Sequence, residues 1–311
     1  LQDSHLQAMG NQPLICLNNG HKIPRIGLCT YQITNAAEVE RVVDDAISLG
    51  YRHFDTSDNQ DNEQALGQAL AKYVNIRIPR EELFIVSKIS SSDLHPDRIE
   101  VAVMRILNRL RLDYLDILYC DQPIVYNADG STDNSITVED VWQGMSRVYE
   151  RGLVRAIGVV NWSLEDMKTV QRLVQSGRCT ARIHAAQFEC HAYWPQDELV
   201  EYCLNHCIRA TAIGAQVAQR GSAPDARAEP VIMDLARKYK VTPNQILLRY
   251  CMDLGLIVSS WGTDSKQLKE NINIVEFHLS QQDLERIHEI GHRQSFYPLD
   301  EKYQDRKTVA I

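Results

Sequence analysis

The chain has 311 residues, 44% hydrophobic and 24% charged, and its 33 Lys and Arg against 41 Asp and Glu leave a net charge of −8. This is a globular composition with room for a large core, and the acidity excludes a broad electrostatic grip on nucleic acid or an anionic membrane. No window approaches the roughly 20 apolar residues of a membrane span, and eight cysteines without CxxC spacing point to a reducing, cytoplasmic compartment.

Residues 1–11 have neither a basic start nor an apolar stretch, so they read as a disordered or tag-derived leader, with 12–311 as one domain. A hairpin is expected over 14–23, turning at Asn18-Asn19-Gly20. Short apolar runs then alternate with amphipathic segments. Strands are predicted at 24–30, 53–57, 83–89, 115–120, 154–160, 183–188, 209–215 and 256–261, with helical segments between successive members. Over 97–110, for instance, Ile99, Val103, Ile106, Leu107 and Leu110 recur at helical spacing and mark a face turned to the core. Eight strands each followed by helix fit a closed (β/α)8 TIM barrel. Longer irregular stretches at 123–137, 216–228 and 293–311 are expected at its C-terminal mouth, where barrels of this kind bind ligands. No metal-spacing motif is present, so no metal is expected.

Several segments then point to one family: LNNGHKIPRIGL (17–28), DDAISLGYRHFDT (44–56), LFIVSK (83–88), RLRLDYLDILY (109–119), GLVRAIGVVNW (152–162), QFECHAY (187–193), TPNQILLRY (242–250) and LKENINIVEF (268–277). In order and spacing the chain resembles a divergent aldo-keto reductase over nearly its whole length. The resemblance implies the same barrel, with nicotinamide and substrate meeting at the strand C-termini, and a catalytic set of aspartate, tyrosine, lysine and histidine. Asp55 and Lys88 match the aspartate and lysine, but Gln60 stands at the tyrosine and Asp121 at the histidine. An amide gives up no proton at neutral pH, and a carboxylate opposes the negative charge that develops on a reduced carbonyl. At the cofactor positions Asn161 and Gln187 match the carboxamide contacts, whereas Ile213 replaces a stacking tyrosine. Trp261, Gly262 and Gln267 stand at a lysine, a serine and an arginine, with Thr263, Lys266 and Asn271 alongside. Tyr31, Asp58, Gln122 and Trp162 fall at the substrate pocket.

The replaced residues lead to an expectation of no nicotinamide cofactor, or weak NADP(H) or NAD(H) binding. They also favour a repurposed non-redox enzyme of isomerase, cyclase or dehydratase type. Its centre would be Asp55, Asp58, Gln60, Lys88 and Asp121, handling protons on a small organic molecule at the barrel mouth. The alternatives are a catalytically silent binding or regulatory protein and an NAD(P)-dependent oxidoreductase with an altered site. For Asp55 and Lys88, a purely structural ion pair is the plainer reading. No nucleic-acid or membrane partner is expected, and a protein partner is not legible.

Overall fold

In the computed structural model, residues 12–127, 129–216, 225–291 and 293–296 are described. The expected leader at 1–11, residues 217–224 and the tail beyond 296 lie outside them. The hairpin forms from β1 (Leu14–Cys16) and β2 (Lys22–Pro24), antiparallel with Leu14 opposite Pro24. Its turn includes Gly20 at φ 87°, a conformation that costs glycine least.

Eight parallel strands close the barrel: β3 (Ile26–Cys29), β4 (His53–Asp55), β5 (Phe84–Ile89), β6 (Ile117–Cys120), β7 (Ile157–Val160), β8 (Ala185–Glu189), β9 (Arg209–Ile213) and β10 (Ile257–Ser260). β10 pairs with both β3 and β9, which completes the ring. Each predicted strand overlaps an observed one, with every boundary within three residues. The fold is a (β/α)8 TIM barrel.

The surrounding helices are α1 (Ala36–Ser48), α2 (Glu63–Leu70), α3 (Ile99–Leu110), α4 (Val138–Glu150), α5 (Leu164–Gln175), α6 (Asp197–Asn205), α7 (Pro230–Tyr239), α8 (Pro243–Asp253), α9 (Ser265–Ile272) and α10 (Gln281–His288). Their starts are written locally. Thr137 and Thr242 form capping boxes with Asp140 and Gln245, and Pro230 and Pro243 sit in the first turn, where a missing N–H costs nothing. The predicted face of α3 is buried along its length. Among the described residues no helix is long and apolar enough to cross a membrane.

Inside the ring, Phe84, Val86, Ile117, Tyr119, Ala156, Ala185 and Ile257 fill the lumen, and Leu17 and Ile23 of the hairpin join them. The floor is therefore stoppered by apolar side chains. Gly27 faces this interior with the His53 ring so near that a Cβ would stand 2.7 Å from Nδ1. Burial keeps that imidazole below its usual pKa and hence neutral. Two residues further along β3, Cys29 points the same way, into the mouth.

Candidate active site

The polar layer above this core begins with Asp55, at the end of β4 and 1% exposed. Its Oδ1 pairs with Lys88 Nζ from β5, and its Oδ2 accepts from Gln187 Nε2 at 2.5 Å and Ser259 Oγ at 3.0 Å. Parallel β5, β8 and β10 each send one inward side chain to this carboxylate of β4. Lys88 Nζ also donates to the Thr56 carbonyl at 2.9 Å. Among the described residues its one ion pair is with Asp55, and its side chain keeps 16% exposure toward the mouth.

Gln187 is nearly inaccessible, yet its Oε1 has no hydrogen-bond partner among the described residues. A buried carbonyl oxygen left in this way costs about 1–3 kcal/mol unless a ligand N–H reaches it. The amide of a nicotinamide is such a donor. Beside it Asn161 follows β7 at φ 52°, its Oδ1 accepting from Glu189 N at 3.3 Å and its own N–H donating to Gln187 O.

The other expected residues divide into those at the mouth and those turned from it. Gln60 lies on a 3-10 turn over Asp58–Gln60, and its Oε1 accepts from Thr30 Oγ1 at 3.3 Å. Asp121 follows β6; its Oδ1 takes the Gln122 N–H at 2.8 Å and its carbonyl takes Trp162 Nε1 at 2.7 Å. Gln122 adds a carbonyl that accepts from Ser91 Oγ. Trp162 is buried edge-on to Trp142. Tyr31 is exposed, and its carbonyl receives the indole N–H of Trp261 at 2.9 Å. Trp261 itself, 42% exposed, is fixed further by Gln216 and Asn271, while Ile213 ends β9 half-buried. On α9, Asp264 caps the helix, Gln267 Oε1 takes the Thr263 N–H, and Gly262 leaves Gln267 Cβ 3.2 Å from where its own Cβ would stand. Lys266 is 87% exposed, 4.0 Å from Glu270.

Asp58 does not join the proposed polar centre. Its carboxylate turns toward α3, where it meets Arg105 at 2.7 Å and Arg109 at 2.5 Å. Arg105 also holds Asp93 at 2.6 Å, and Arg109 reaches Glu63 at 3.3 Å. This network bolts the turn carrying Gln60 to the outer helix. Glu63, missed from the sequence, is buried and accepts from Ser87 Oγ at 2.6 Å. Burial is the main cause that lifts it from 4.5 to about 7, with Ser87 pulling the other way and Asp58 adding to the rise. The native chain therefore holds this proton more firmly than the unfolded chain, so stability falls as pH rises from 4.5 to about 7. The loss is on the order of 3 kcal/mol. Urea titrations at pH 5 and 8 should show this loss in the wild type and a flatter response in Glu63→Gln; parallel responses would dismiss Glu63 as the cause.

Two further residues went unread. Cys29 is half-buried beside Asp55 and hydrogen-bonded with Ser259; burial first and the carboxylate second push its thiol up to about 11. Glu189, at the end of β8, accepts from His191 Nε2 at 2.9 Å, Ser295 Oγ and the Phe296 N–H, which draws residues 293–296 to the mouth. His184, buried and lowered to about 4, stays with the framework.

A family model described as Aldo/keto reductase family matches residues 25–292. An NADH-dependent D-xylose reductase of Candida parapsilosis is 31% identical, with 89% of this chain and 92% of the relative covered. An NADP-dependent D-sorbitol-6-phosphate dehydrogenase of Malus domestica is 33% identical over 93% and 94%. Among solved structures, a Bombyx mori aldo-keto reductase in complex with NADP superposes with a TM-score of 0.86 at 31% identity, covering 94% of this chain and 97% of the other. These findings overturn two expectations. Relatives named as reductases and dehydrogenases along the whole barrel contradict both the non-redox enzyme and the silent protein. A neighbour solved with NADP contradicts the absence of a nicotinamide cofactor. The physical reason is that Gln60 and Asp121, standing where a tyrosine and a histidine were expected, alter the supply of a proton alone, whereas the buried amide of Gln187 and the Asp55–Lys88 pair are kept.

Proposed function

We infer, because this chain belongs to the aldo/keto reductase family, that it catalyses NAD(P)H-dependent reduction of a carbonyl compound to an alcohol, and the reverse oxidation, at the barrel mouth. The observation that carries this reading is the Gln187–Asp55–Lys88 chain. It offers a buried oxygen without a partner for a carboxamide and, two side chains away, an ammonium for a carbonyl oxygen.

When bound, the dihydronicotinamide supplies a hydride. Gln187 and Asn161 would hold its amide, and Thr263, Lys266 and Asn271 around the start of α9 would hold the opposite end. Ser259 and Gln187 both hold Asp55 Oδ2, which anchors the carboxylate and leaves its Oδ1 to keep Lys88 where it is. The packed lumen beneath excludes water from below. Tyr31 and Gln122 border the opening where a substrate would enter.

The test is direct. The protein is mixed with NADH or NADPH and a panel of aldehydes, ketones and open-chain sugars, and loss of dihydronicotinamide absorbance is followed beside a fluorescence titration of each cofactor. Steady oxidation that depends on the carbonyl is expected. Failure of both cofactors to bind and to turn over with every carbonyl would end this reading.

A further inference from the structure

We propose that Lys88 is itself the general acid of the reduction, giving its proton to the carbonyl oxygen; this rests on the function inferred above. An ammonium carries three N–H groups. Two are committed here, to Asp55 Oδ1 and to the Thr56 carbonyl, both on the β4 side. The third has no partner among the described residues, and the side chain opens toward the mouth. The other groups at the mouth are less suited. Gln60 bears an amide, and its oxygen is engaged by Thr30. Asp121 turns an oxygen back to the Gln122 backbone. Cys29, engaged with Ser259, carries a transferable proton beside Asp55 and is the rival nearest to Lys88's partner.

The step balances as follows. The carbonyl carbon takes a hydride from the dihydronicotinamide, the C=O electron pair moves to oxygen, and that oxygen takes a proton from Nζ. One N–H bond breaks and one O–H bond forms. Lys88 is left as a neutral amine beside Asp55 and is re-protonated from water through the mouth. In the oxidative direction the neutral amine is the base, so reduction and oxidation respond to pH in opposite senses.

A role as acid and a role as mere positive charge differ in one readout. Arginine keeps the charge but does not titrate in proteins. In the wild type, kcat/KM for reduction is expected to decline at alkaline pH while oxidation gains. In Lys88→Arg that alkaline limb should vanish, with kcat/KM down by about 10²–10⁴, the usual worth of a positioned acid. Cys29→Ala should keep the limb. Lys88→Arg keeps a positive charge to pair with Asp55, and circular dichroism checks that each variant is folded. A limb that persists in Lys88→Arg, or that disappears in Cys29→Ala, overturns the assignment. Absence of turnover in the wild type would instead count against the function, so the two failures are told apart.

Discussion

Asp55→Ala is expected to destabilise the folded chain by about 3–5 kcal/mol, the range for removing one partner of a buried ion pair. The carboxylate is 1% exposed and is the common acceptor for Lys88, Gln187 and Ser259. Its loss strands an ammonium, an amide and a hydroxyl. Lys88 keeps 16% exposure, which places the effect toward the lower end. Denaturant midpoints of the variant and the wild type decide the matter. A difference under about 0.5 kcal/mol, the scale of an ordinary surface change, would show that the three partner side chains do not depend on Asp55.

Gln60→Tyr is expected to raise kcat/KM for carbonyl reduction by about 10²-fold, the lower end of what a positioned acid contributes, since Lys88 already supplies a proton. The turn that carries Gln60 packs against β5, the strand of Lys88, and Asp58 ties it to Arg105 and Arg109, so a new side chain there is held rather than loose. A phenol brings a transferable proton where the amide has none. Steady-state rates with one aldehyde and a saturating cofactor measure the gain. A folded variant with an unchanged rate would mean that residue 60 does not face the reacting oxygen.

The eight strands were legible because an apolar run bounded by turn residues is a local signal. Asp55 and Lys88 were legible too, as strand ends in a recognised order. What escaped was pairing between distant elements. Nothing near Asp58 in the chain tells of Arg105 and Arg109, 47 and 51 residues on. The bond from Gln187 to Asp55 spans 132 positions, and the burial that moves Glu63 comes from α3 and β5 together. The functional expectation failed for a related reason. Two replaced side chains were weighed as the loss of a reaction, while the oxygen that Gln187 keeps in reserve, visible only once its amide is seen turned onto Asp55, argues that the ligand's place was retained.

The hairpin plug has a kinetic corollary. With Leu17 and Ile23 sealing the lower end among the lumen side chains, the barrel is a cul-de-sac, and whatever meets Lys88 must come and go by a single doorway. Two ligands sharing one doorway cannot be exchanged independently: the one lodged deeper arrives first and departs last, so the queue at the entrance, rather than any contact between the ligands, imposes the sequence of a turnover.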